Sequence, residues 1–115
     1  MDIDLVDLGR VALVTTRGRR TGLDRPVAIG YVDGPDGCVL VAATEASSAW
    51  AANLEAEPRC TVRIGDRKFA GKAERLEGAD HADAVRQLIL RYGTTAERLG
   101  RGPSFRLCPV EAVGD

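Results

Sequence analysis

The apolar positions of this chain fall into short runs separated by turn residues, which is the spacing of a sheet. Ile3, Leu5, Val6 and Leu8 form a lead-in that Gly9 breaks, and residues 1–10 are too short a stretch to assign. Val11-Ala12-Leu13-Val14 is apolar at every position, which predicts a strand covered on both faces and therefore internal to its sheet. Val27-Ala28-Ile29-Gly30-Tyr31-Val32 and Cys38-Val39-Leu40-Val41-Ala42-Ala43 follow, with Asp33-Gly34-Pro35-Asp36-Gly37 between them as a strong turn signal. These three runs predict an antiparallel meander. Farther on, Cys60, Val62 and Ile64 alternate with Thr61 and Arg63. After Gly65-Asp66, Phe69, Gly71 and Ala73 alternate with Ala70, Lys72 and Glu74. Period-two alternation on both sides of a tight turn predicts a hairpin with one covered face. Residues 105–110 read as a last strand, which Pro109 confines to an edge or a bulge.

Helical spacing appears twice. Ser47 or Ser48 caps a helix of about three turns in which Trp50 and Leu54 share a face, and Pro58 follows its end. Asp80 caps a second helix, opened by Gly78, in which Val85, Leu88, Ile89 and Tyr92 form an apolar stripe and Gly93 ends it. Residues 94–102 stay open between a short helix and an irregular basic loop carrying Arg98 and Arg101. About six strands and two main helices, without βαβ alternation, predict a mainly β protein: a small antiparallel β-barrel with flanking helices. At 115 residues the expectation is a single domain spanning 1–115, with residues 111–115 frayed. A domain of that size has a modest core, and a partner subunit would add burial.

Composition narrows the function classes. A net charge of −1 argues against a general nucleic-acid binder, which needs excess positive charge. Cys38, Cys60 and Cys108 are dispersed in apolar runs and include no CxxC pair, which reads as buried free thiols in a reducing cytosol. Met1-Asp2-Ile3-Asp4 has neither a basic nor an apolar leader region, and no apolar run reaches the length of a membrane span. The expected location is cytoplasmic. His81 is the lone histidine; it cannot build a zinc site with dispersed cysteines, and at a helix start it reads as a surface residue. No Walker loop, GxGxxG or GxSxG is present. Catalysis by the chain's own side chains is poorly supplied, so no catalytic residue and no metal ligand are assigned, and a bound cofactor is expected to carry any chemistry.

Charge is concentrated in one place. Thr15-Thr16-Arg17-Gly18-Arg19-Arg20-Thr21-Gly22-Leu23-Asp24-Arg25 connects the first two strands and packs four arginines, three threonines and two glycines into that connection. Cations this dense repel one another unless an anion relieves them, and glycine lets backbone approach a ligand closely. On chemistry alone the turn reads either as an anion site or as a solvated hairpin tip.

At these residues the chain resembles the deazaflavin-dependent nitroreductase family, whose signature T-x-G-R-x-[ST]-G-x-x-R is matched by Thr16, Gly18, Arg19, Thr21, Gly22 and Arg25. Trp50-x-x-Asn53-Leu54-x-Ala56-x-Pro58-x-x-Thr61-Val62 is similar to the family's second block, and Ile64-Gly65-Asp66-Arg67-x-Phe69 fits its next hairpin. The resemblance implies a split β-barrel like that of pyridoxine-phosphate-oxidase-like flavin binders. It also implies a homodimer, the deazaflavin coenzyme F-420, and hydride transfer to a nitroaromatic, quinone or other small activated substrate. Carried onto this chain, it sets Arg19, Arg20 and Arg25 toward the cofactor's ring edge and anionic tail, with Thr16, Gly18 and Thr21 of the same turn also cofactor-binding. Ser47 and Ser48 start the helix whose N–H groups would meet the phosphate. Trp50 either walls the pocket or anchors the helix on the core.

Some positions depart from the family pattern. The loop before Trp50 reads Thr44-Glu45-Ala46-Ser47-Ser48-Ala49, placing a carboxylate near the expected phosphate, Ala51 replaces the tyrosine that often follows the tryptophan, and few residues precede the first strand. They motivate two alternatives: a cofactor-free ligand-binding or biosynthetic helper such as a cyclase or isomerase, and an FMN-binding relative.

Overall fold

The computed structural model describes residues 4–93 and 99–110. β1 (Ala12–Arg17), β2 (Asp24–Ile29), β3 (Val32–Asp33), β4 (Val39–Ala42), β5 (Arg59–Ile64), β6 (Arg67–Arg75) and β7 (Ser104–Pro109) form one antiparallel sheet in the order β2-β1-β5-β6-β7-β4-β3. α1 (Ala49–Ala56) joins β4 to β5, and α2 (Gly78–Tyr92) joins β6 to β7. The expected mainly β barrel with two helices is what forms.

The strand order fixes the curvature. β2 and β3 are the two outermost strands, yet only Gly30 and Tyr31 separate them in the chain. Three peptide steps reach at most about 11 Å, whereas the edges of a flat sheet this wide would lie roughly 29 Å apart. The sheet must therefore roll until its ends meet, giving a curled half-barrel. Rolling creates an inside, filled by Val14, Val39, Val41, Val62, Phe105 and Leu107 from the strands and by Ala51 and Leu54 from α1. A second apolar cluster forms where Ala84, Val85 and Leu88 of α2 meet Val32, Leu40 and Ala42. Burying a side chain such as Leu88 is worth about 2 kcal/mol, so α2 is held by its stripe.

The structure corrects several expectations. The first three apolar runs do not form a meander. The run 27–32 is cut at Gly30-Tyr31, and its halves pair at opposite ends of the sheet, β2 with β1 and β3 with β4. That division makes seven strands rather than about six. β7 is not an edge strand, since it pairs with both β6 and β4. Pro109 is tolerated because it is the last residue of β7, and the Val110 N–H takes up the ladder by donating to the Ala70 carbonyl at 2.9 Å. α1 is shorter than three turns. Ser48 is its N-cap residue but makes no side-chain capping bond. Glu77, not Asp80, occupies the N-cap of α2, and Asp80 lies in the first turn, where its charge suits the helix dipole.

The cysteines are not all free. Cys38 and Cys108 are joined in a disulfide, and Cys60 is the free, buried cysteine among the described residues. The β4–β7 register explains the pairing. With Val39 opposite Leu107, the next residues outward are Cys38 and Cys108, whose Cα atoms are 4.2 Å apart despite a sequence separation of 70. Part of the segment 94–102 and all of 111–115 lie outside the described residues, as do residues 1–3. No helix among the described residues is long and apolar enough to cross a membrane.

Candidate functional site

The basic turn closes the β1–β2 hairpin, whose last cross-strand pair is Arg17 opposite Asp24. Its shape comes from its own backbone. The Gly18 N–H donates to the Leu23 carbonyl at 2.8 Å, and the Gly22 N–H donates to the Gly18 carbonyl at 2.8 Å. Gly22 has φ +70°, a conformation that favours glycine. The Leu23 N–H donates to Thr21 Oγ1 at 3.2 Å. Gly18 is required by space, because a Cβ there would lie 2.9 Å from Thr21 Oγ1 and 3.3 Å from the Leu23 carbonyl oxygen.

α1 locks onto this turn through one amide. Asn53 is only 5% exposed. Its Oδ1 accepts from the Arg19 backbone N–H at 3.3 Å and from Arg19 Nη1 at 3.1 Å. Its Nδ2 donates to Thr16 Oγ1 at 3.1 Å, and Thr16 Oγ1 in turn faces the Arg25 carbonyl at 3.4 Å. A buried amide would be costly without such partners; with them it joins helix, strand and turn.

Between the turn and the start of α1 lies a cleft of about 520 Å³. Thr16, Gly18, Arg19, Arg20, Thr21, Arg25, Ser48 and Trp50 all line it, together with Pro26, Val27, Ala49 and Asn53. Of the residues expected at the site from sequence, only Ser47 is not among the lining residues. Trp50 borders the cleft, and its ring packs on Phe105 with centroids 6.0 Å apart. Asn53, part of the second motif, joins the residues expected at the site. Its signal is a polar residue next to Leu54 on the buried face of an otherwise alanine-rich helix.

The electrostatics of the cleft are one-sided. Among the described residues, none that lines it is acidic, and Arg19, Arg20 and Arg25 form no ion pair. Other arginines of the chain do find carboxylates, for example Arg63 with Asp7 and Arg106 with Glu74. Glu45 is exposed in the loop before α1 and is not part of the lining. The first turn of α1 adds backbone N–H groups without intrahelical partners. A cluster of unpaired cations beside a helix N-terminus is suited to bind an anion.

Other candidate groups lie elsewhere. His81 is half-buried rather than a plain surface residue, with Nδ1 2.7 Å from Oγ of the fully buried Ser104. Burial pushes the Cys60 thiol up to about 11, so it stays protonated and unreactive near neutrality. Among the described residues no group of His, Cys, Asp and Glu is placed to hold a metal ion.

Several solved structures share this architecture. An F420-H2 dependent reductase superposes with a TM-score of 0.72 at 24% identity, covering 85% of this chain and 93% of that one. A structure described as a domain-swapped dimer gives the same TM-score of 0.72 at 24% identity, covering 85% of this chain and 79% of that one. HutZ, a heme storage protein from Vibrio cholerae, matches with a TM-score of 0.70 at 20% identity, covering 90% of this chain and 84% of that one. At these identities the likeness is one of fold. No curated protein matches the chain. The sequence itself goes further, because the family model for F420H(2)-dependent quinone reductase matches residues 4–101. That match takes in both the basic turn and the Trp50–Asn53 block, and the chain therefore belongs to the F420H(2)-dependent quinone reductase family of deazaflavin-dependent oxidoreductases.

Proposed function

We propose that the cleft between the basic turn and α1 holds the deazaflavin coenzyme F-420, and that the chain is an enzyme using it to reduce a quinone or a similarly activated small molecule. The observation that carries this reading is that Arg19, Arg20 and Arg25, which form no ion pair among the described residues, face a cleft that no described carboxylate lines. The cofactor's phosphate suits the first turn of α1 at Ser48 and Ala49, and its remaining negative charge suits the arginines. Trp50, Pro26 and Val27 supply apolar wall against which a flat ring can lie. When bound, the reduced deazaflavin supplies the hydride. The chain's own residues bind it, orient it and keep water from one side. Among the described residues no cleft side chain is an Asp, Glu or His able to act as general acid or base, so specificity for the acceptor rests on shape and on what covers the open side.

A homodimer fits that open side, because β2 is an edge strand that lines the cleft and, among the described residues, has no strand partner on its outer edge. We take the whole of 1–115 as one split-barrel domain of such a dimer. Haem is the less suitable occupant. Among the described residues the cleft is lined by no His, Cys, Met or Tyr that would ligate iron, and His81 lies outside it. FMN remains distinguishable by colour, since a yellow protein as purified would favour it. The direct test is catalytic. Purified protein should oxidise reduced coenzyme F-420 when a soluble quinone is added, at a rate proportional to protein. No turnover above the uncatalysed rate with quinone or nitroaromatic acceptors would contradict the proposal.

A further inference from the structure

Asn53 makes more contacts across elements than any packing role for α1 requires. Its carbonyl oxygen receives two N–H groups of Arg19, and its amide donates to Thr16, itself 1% exposed. The Arg19 residue as a whole is exposed, and no carboxylate pairs with it among the described residues. An arginine in that situation ordinarily samples many rotamers, and an anion that binds it must first order it. Here one N–H of the guanidinium is already held, and the remaining donors of the planar fork stay available.

The chemical identity of the anchor matters. A carboxylate at this position would hold Arg19 at least as firmly, but it would neutralise the charge the anion needs. A neutral amide oxygen orients the cation and leaves its charge free. The same amide supplies a donor to Thr16, which a carboxylate lacks. We infer that Asn53 is a positioning residue of the anion site, fixing the pose of the Arg19 guanidinium while preserving its charge for an anionic ligand. This rests on the proposed cofactor site, and it adds a role for a residue that contributes no charge to that site.

The test is a double-mutant cycle with two probes, coenzyme F-420 and inorganic pyrophosphate, on wild type, Asn53→Ala, Arg19→Ala and the double variant, with Asn53→Asp alongside. Thermal melts identify variants that fold. Asn53→Ala should weaken both probes severalfold, and the double variant should bind no more weakly than Arg19→Ala, because Asn53 acts through Arg19. Asn53→Asp should weaken binding more than Asn53→Ala and flatten its salt dependence, since one cation is cancelled. Additive losses in the cycle, or an Asn53→Asp protein that binds like wild type, would overturn the inference. If Asn53→Ala does not fold, the comparison of Asn53→Asp with wild type decides it by the same criteria. Wild type that binds pyrophosphate but not coenzyme F-420 would sink the cofactor assignment while the pyrophosphate cycle still decides the role of Asn53. Wild type that binds neither probe refutes both.

Discussion

The hydroxyl of Tyr92, on the last turn of α2, accepts the backbone N–H of Tyr31 at 2.9 Å, across the connector where the sheet's two ends meet. The same hydroxyl is 2.7 Å from the Arg10 carbonyl, and Tyr31 Oη donates to the Gly9 carbonyl at 2.7 Å. Gly30 leaves room for the ring, since a Cβ there would sit 3.0 Å from it. The helix end thus fastens the seam of the barrel. Tyr92→Phe keeps the ring but leaves the Tyr31 N–H without that acceptor, at a cost of about 1–2 kcal/mol. We expect a lowered denaturation midpoint with unchanged coenzyme affinity, because Gly30, Tyr31 and Tyr92 are not among the residues lining the cleft. Equal stability in urea would show that the seam does not depend on this hydroxyl.

Gly102 is set by crowding of a different kind. A Cβ there would approach the Ala43 carbonyl oxygen to 2.5 Å and that of Glu45 to 2.8 Å. These are backbone atoms of the loop leading into α1, and backbone cannot swing aside as a side chain can. Gly102→Ala should cost about 1–3 kcal/mol by overpacking and should also weaken coenzyme binding by shifting Ser48 and Ala49. Gly22→Ala meets no atom within 4 Å and strains only its positive φ, so it should cost about 1 kcal/mol. A ranking of the two variants by thermal melt checks the account.

Among the described residues the cleft arginines have no ion-pair partner, so removing one should change binding and not folding. Arg20→Ala and Arg25→Ala should each weaken coenzyme F-420 by about tenfold, the scale of a charge-assisted hydrogen bond. Each should also reduce the loss of affinity on adding salt. Arg63→Ala, whose partner Asp7 lies elsewhere, should leave affinity unchanged. A fluorescence titration at two salt concentrations separates these outcomes.

Thiol chemistry offers an independent check. With Cys38 and Cys108 joined, unreduced protein unfolded in denaturant should expose one reactive thiol, Cys60. Reduction should lower stability by about 2–4 kcal/mol, the usual effect of opening a long covalent loop. Cys60 adds a pH signature. Its thiol goes from 9.0 up to about 11 on burial, so the folded chain keeps a proton that the unfolded chain releases. Stability should be unaffected by this group below about pH 9 and should fall as pH rises from 9 toward 11. Cys60→Ala should lack that part of the alkaline loss. Three reactive thiols in unreduced protein, or identical alkaline slopes, would contradict these assignments.

Local chemistry made the hairpin 59–75, the stripe of α2 and the basic turn readable from sequence, because each is dictated by residues close together in the chain. Period-two alternation around Gly65-Asp66 and the spacing of Val85, Leu88, Ile89 and Tyr92 leave few alternatives. What escaped was non-local. The split of residues 27–32 between two sheet edges depends on barrel closure, which no window of sequence contains. Cys38 and Cys108 meet only through the β4–β7 register. Asn53 shows the same limit within the site. Its place in a motif was visible, but its function depends on Arg19 and Thr16 being brought beneath it by a hairpin that lies 34 and 37 residues away.

Whether this cleft binds a deazaflavin is decided by titrating wild-type protein with coenzyme F-420. Followed by the coenzyme's own fluorescence, binding should saturate at one site per chain and weaken as salt is raised. A flat titration at low salt, with correctly folded protein, would contradict it.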